Sequence, residues 1–95
     1  MFPGTTTKLS ESTVASAATI DAKSDIVFVT GTTAIDTIVP HFGGGFSGMA
    51  IFIALDDDIT VTTTGNVVTD VEFSQIVGLA MYYSKARGLW YPQQT

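Results

Sequence analysis

The chain has 95 residues, 45% hydrophobic and 11% aromatic, with four Lys and Arg against nine Asp and Glu, a net charge of −5. That length holds one domain with one core, and cations as few and scattered as Lys8, Lys23, Lys85 and Arg87 argue against direct nucleic-acid binding, which relies on clustered basic residues. With no cysteine there are neither disulfides nor thiolate metal sites, and no apolar run approaches the ~20 residues of a helical membrane span, so no membrane partner is expected.

Residues 1–24 carry Pro3, Gly4, a Thr triplet and the tract Ser10-Glu11-Ser12-Thr13-Val14-Ala15-Ser16-Ala17-Ala18-Thr19, with little apolar bulk. They read as an extended N-terminal arm, loosely ordered unless a partner surface or the domain's own flank holds it. Residues 25–95 read as the β domain. The first residues lack the basic start and hydrophobic centre of a signal peptide, so the chain is expected to be made in a cytoplasm and left uncleaved.

Two β-branched runs over residues 26–40 flank Gly31-Thr32-Thr33 and end at Pro40, which predicts a β-hairpin with Val27 and Val29 packing against Ile35 and Val39. A glycine-rich loop follows over residues 41–48. Residues 49–55 then predict a strand with two apolar faces, a bulky one of Met49, Ile51, Ile53 and Leu55 and a smaller one of Ala50, Phe52 and Ala54. Such a strand belongs at the centre of a sandwich or against another subunit. Asp56-Asp57-Asp58 ends it.

Ile59 and Val61 alternate with Thr60, Thr62 and Thr64, the pattern of a strand with one wet face. Gly65-Asn66 marks a turn, both residues tolerating positive φ. Residues 70–77 match a helix-capping spacing but are short and β-branched, and a strand or irregular crossing is favoured. Leu79 to Ser84, a turn at Lys85-Ala86-Arg87-Gly88, and Leu89-Trp90-Tyr91 predict a second hairpin. The sum is an all-β fold, a small antiparallel β-sandwich or barrel-like domain with an extended arm.

Few residues invite a chemical reading. His41 is the sole histidine and lacks a partner that would orient it as a base or metal ligand, so a solvated loop residue is expected. The glycines at 43–45 lack the nucleophile elbow of an esterase and the Lys-Ser/Thr pair of a P-loop. Three consecutive aspartates lack the alternating spacing of an EF-hand and read as a solvated turn. Thr60, Thr62 and Thr64 make too short a ladder for a flat binding surface. Trp90 with Tyr82, Tyr83 and Tyr91 reads either as core with edge aromatics or as a stacking platform or interface. No catalytic residue, cofactor or metal is expected, and the protein is not expected to be an enzyme.

The order Val29-Thr30-Gly31-Thr32-Thr33-Ala34-Ile35-Asp36-Thr37-Ile38, the glycine-led apolar strand, the turn at Gly65-Asn66, and the ending Met81-Tyr82-Tyr83 with Gly88-Leu89-Trp90-Tyr91-Pro92 resemble small β modules of tailed-bacteriophage virion proteins. The resemblance covers residues 19–92. It implies an assembly role with threefold packing, either as a capsid decoration (cement) protein or as a piece of a fibre or spike. A 95-residue chain opening on methionine is expected to be the free-standing decoration protein rather than part of a long fibre. The partners then expected are the major capsid protein and further copies of the chain in a homotrimer on the capsid exterior. Phe2, Pro3, Leu9, Val14, Phe42, Phe46, Trp90 and Tyr91 are the candidate contact residues. A receptor- or glycan-binding module of a tail fibre or spike is the alternative.

Overall fold

A computed structural model describes residues 9–40 and 47–93. Over these the chain is all-β, with β1 (Glu11–Ala15), β2 (Thr19–Ala22), β3 (Ile26–Thr30), β4 (Thr37–Pro40), β5 (Gly48–Ala54), β6 (Ile59–Val61), β7 (Val71–Phe73), β8 (Leu79–Ser84) and β9 (Leu89–Pro92). One sheet has the order β1-β3-β5-β8-β9, while β2-β4 and β6-β7 form two-stranded sheets. A single core lies between them. The large sheet contributes Val27, Val29, Phe52, Met81 and Trp90, and the smaller sheets face it with Ile20, Ile38, Ile59, Val61 and Phe73.

The first five strands alternate between layers, and strands of the same layer pair in parallel. Glu11 lies opposite Ile26 and Ile26 opposite Ile51 in the large sheet, while Thr19 lies opposite Thr37 in the small one. The chain therefore winds as a flattened coil before β8 and β9 complete the sheet with antiparallel pairings. The sandwich, barrel-like class is as expected, but its sheets are mixed rather than purely antiparallel.

Three expectations are corrected by this winding. The hairpin over residues 26–40 does not form, because β3 and β4 belong to different sheets. Both strands carry core-directed β-branched side chains, and placing them on opposite sides of the core buries Val27, Val29, Ile35 and Ile38 together. A tight hairpin also needs turn residues at positive φ. Here only Gly31 has one (77°), and the chain continues through residues 32–36 to the other layer.

Val39 is likewise not a core residue. The register sets Ile20 beside Ile38 and Asp21 beside Val39, so Ile38 takes the inward position and Val39 is exposed.

Within the region read as an arm, residues 11–22 supply β1 and β2. β1 pairs with β3 along its whole length, and Ile20 and Ala22 are buried. Its small side chains suit an edge strand, where backbone bonds rather than bulk make the attachment. Asp25 Oδ2 accepts from the Ser10 N–H (3.0 Å) and hydroxyl (3.1 Å), while the Asp25 N–H donates to Ser10 Oγ (3.0 Å). This latch joins the start of β1 to the start of β3.

Residues 71–73 are a strand, and β8 and β9 form the second hairpin as expected. Gly88 sits at φ 65° in its turn, with its N–H bonded to Ser84 O at 2.7 Å. Asn66 has a part that the sequence does not advertise. Its Oδ1 accepts the Ile38 N–H (2.9 Å) and its Nδ2 donates to Ile38 O (2.8 Å), so one side-chain amide pairs with the edge of β4 as a strand would. Its own carbonyl accepts the Trp90 N–H (2.8 Å) from β9, and Trp90 Nε1 donates to Ile38 O (3.0 Å). Asn66 thus clasps the two layers at a corner. Gly65, read as a positive-φ turn residue, serves close approach instead. A Cβ there would overlap Asp36 O and Thr37 Oγ1.

Candidate interaction surface

Successive side chains of a strand point to opposite faces, so each strand of the large sheet shows the core one set of residues and the outside another. In β5 the inward set is Ala50, Phe52 and Ala54, all buried. The two alanines leave room around Phe52 for its aromatic neighbours. Its ring meets Trp90 edge-on at a centroid distance of 5.9 Å and lies 6.1 Å from Phe73, and Tyr83 lies 5.3 Å from Trp90. The bulky set, Met49, Ile51 and Ile53, is thereby turned outward.

Strand register lines these residues up with others like them. One row across the sheet is Met49, Tyr82 and Tyr91, the next is Ile26, Ile51 and Ala80, and a third is Phe28 and Ile53. Met49 is 52% exposed, Tyr82 38% and Ile51 37%. Among the described residues these rows are apolar, with Asp25 at the margin of the surface and Glu11 and Thr13 of β1 bordering it. A depression of about 200 Å³ on it is lined by Leu9, Asp25, Met49, Ala50, Ile51 and Ala80.

The two ends of this face carry opposite charge. The β8–β9 turn, with Lys85 and Arg87, lies at the start of β5, where the Lys85 N–H donates to Ser47 Oγ (3.0 Å). Asp56, Asp57 and Asp58 follow the far end of β5. Asp56 Oδ2 accepts the Gly31 N–H (2.6 Å) and Asp57 Oδ1 the Asp58 N–H (2.8 Å), as fits a solvated turn. At the acidic end a tight turn holds Ile76 outward, 93% exposed. Ser74 Oγ accepts from the Ile76 and Val77 N–H groups (3.3 and 2.9 Å), and Gln75 Nε2 donates to Leu55 O (2.8 Å) and Asp56 O (2.9 Å).

Comparison with known proteins returns no matching family model, curated protein or solved structure.

The expected contact residues fare differently. Trp90 is fully buried with its Nε1–H bonded to Ile38 O, so it is core and not interface. The bulk of its ring makes it the natural centre of a core this small. Val14 is partly buried against the core. Leu9 is exposed beside the apolar depression, and Tyr91 is half-buried in the outer row with Tyr82. Phe2, Pro3, Phe42 and Phe46 lie outside the described residues, as do His41 and the glycines at 43–45. Met49 and Ile51 are not among the expected contact residues, while Tyr82 reads from the sequence only as one of four aromatics that serve either core or interface. The available signal was the smaller apolar face of β5, since the face with two alanines is the one that admits aromatic rings across the core.

Proposed function

We propose that this chain is a virion structural protein, a decoration protein that binds the outer surface of a phage head and stabilises it. The observation that carries this reading is the open apolar face of the large sheet. A five-stranded sheet with Ile51 and Met49 at its exposed middle gains most by being covered with protein. The viral setting comes from the resemblance of residues 19–92, as does threefold self-association.

Contact with the major capsid protein falls to the N-terminal side of the domain. Among the described residues β1 pairs with β3 alone, and in sequence residues 1–8 precede it through the exposed Leu9. An incoming strand can extend the sheet at the free edge, the physics of β-augmentation. Many such contacts, repeated over a shell, would share the mechanical load of packaged DNA.

The test is decoration of undecorated heads, read by co-sedimentation and electron microscopy, with the whole chain and with a variant lacking residues 1–8. The whole chain should decorate and the shortened one should not. A shortened chain that binds fully removes the proposed contact. Failure of the whole chain to decorate, with binding on a glycan array, would replace the reading with the fibre or spike module.

A further inference from the structure

We infer that the outer face of the large sheet is a twofold seam, covered by the same face of a second copy of this chain. The inference rests on reading that face as an assembly surface, and is independent of the viral setting. Its ground is the arrangement of charge around the apolar middle. Lys85 and Arg87 stand at the start of β5, where the one nearby carboxylate at the margin, Asp25, is already bonded to Ser10, and Asp56, Asp57 and Asp58 stand just past its end, so among the described residues the β8–β9 side of the start is cationic and the far end anionic.

Two such faces can be stacked by a twofold axis lying in the plane of contact. With the axis parallel to β5, like charges meet at both ends. With the axis perpendicular to β5, the Lys85–Arg87 turn of each copy lies over the acidic turn of the other. The second arrangement satisfies both ends at once and is closed, as an isologous contact must be. It also sets the exposed Ile76 and Val77 of one copy toward the Met49, Tyr82 and Tyr91 row of the other.

The area approaches what such a contact needs. Strands of 5, 5, 7, 6 and 4 residues, ~4.8 Å apart and rising ~3.3 Å per residue, give a face of ~430 Å² in projection, to which the flanking turns with Ile76, Lys85 and Arg87 add. Side-chain relief raises the accessible area above its projection, toward the ~600 to 800 Å² per partner of a specific interface. Sheets packed in this way sit ~10 Å apart with side chains interdigitated. The apolar central rows suit such a contact, since an unpaired buried charge is costly, and Asp25 at the margin already accepts two bonds from Ser10.

A threefold ring cannot bury one face against itself. If threefold contacts also exist, the twofold seam makes the assembly a hexamer. Light scattering and sedimentation equilibrium of the whole chain should therefore give two or six chains, and a monomer or a trimer overturns the inference.

Charge reversal identifies the seam. Lys85→Glu with Arg87→Glu, or Asp57→Lys with Asp58→Lys, should each weaken pairing about tenfold or more. All four together should restore it to within about threefold of the original, because the ends are again complementary. Four reversals that accumulate without recovery overturn it. As a second probe, Met49→Lys should abolish pairing while the far-ultraviolet circular dichroism stays that of the folded domain, and retained pairing overturns the proposal. An unaltered chain that decorates heads but does not pair refutes this inference alone. Intact pairing without decoration refutes only the capsid reading.

Discussion

Replacing Asn66 with alanine tests whether one side-chain amide closes the fold. The substitution removes the bonds of Oδ1 to the Ile38 N–H and of Nδ2 to Ile38 O. The two partners are left in different states. Ile38 O retains the Trp90 Nε1–H at 3.0 Å, but the N–H of the buried Ile38 loses its acceptor. At about 1 kcal/mol for each bond and about 1–3 kcal/mol for a stranded donor, partly overlapping terms, the loss is about 2–4 kcal/mol. For a domain of this size that lowers the melting temperature by roughly 10–25 °C.

Gly65→Ala should damage the same clasp by another route. Its Cβ has nowhere to go beside Asp36 O and Thr37 Oγ1, so the turn must shift and carry Asn66 with it. The double variant should consequently lose less than the sum of the two single losses. Urea unfolding followed by tryptophan fluorescence measures all three, since Trp90 is the only tryptophan and lies at the clasp. A loss below about 1 kcal/mol for Asn66→Ala, or strict additivity with Gly65→Ala, would refute the reasoning.

Phe52→Ala should cost about 3–5 kcal/mol in the same assay, because Phe52 is fully buried between Trp90 and Phe73 and its neighbours cannot close the gap. Gly88→Ala should cost about 1 kcal/mol, the penalty of φ 65° alone with open space around the new Cβ. Gly31→Ala should cost more, about 2 kcal/mol, since at φ 77° its Cβ also displaces Ser16 Oγ, the acceptor of the Thr33 N–H. Ile38→Thr should lose at least about 2 kcal/mol while Val39→Thr stays within about 0.5 kcal/mol, and the reverse order would place the register of β4 one residue off. Deleting residues 1–18 removes β1 and should abolish cooperative thermal unfolding of the domain, seen by circular dichroism.

The strands themselves are legible in the sequence, because β-branched and alternating runs such as residues 26–29 and 59–61 report a pleated surface directly. Their partners are less so. Val27, Val29 and Ile38 can satisfy the same hydrophobic demand side by side in a hairpin or face to face across a core, and local pattern does not separate these. The edge strand β1 is harder still, since Glu11-Ser12-Thr13-Val14-Ala15 is held by backbone bonds and the Ser10–Asp25 latch rather than by apolar bulk. Asn66 reads as a turn former because its role depends on β4 arriving 28 positions away in sequence. For the interaction surface, the bulky outer set of β5 is visible as a pattern. Which of its two apolar faces turns inward is decided by the rings that pack on Phe52, Trp90 of the same sheet and Phe73 from across the core.

That division within β5 separates folding from assembly. Phe52 on the inner face contacts the aromatic core, so its substitution should change stability first. Met49 on the outer face is 52% exposed in a single chain, so a polar replacement there removes little that folding has buried. Such a replacement should act on association instead. The arrangement also explains how so weakly charged a chain, with 14% charged residues and a mean hydropathy of +0.35, accommodates its apolar excess. Part of the excess fills the core between the layers, and part lies on the far side of the same strands. For the outer part, burial requires a second protein surface, which the proposed twofold seam would supply with its charged ends matched.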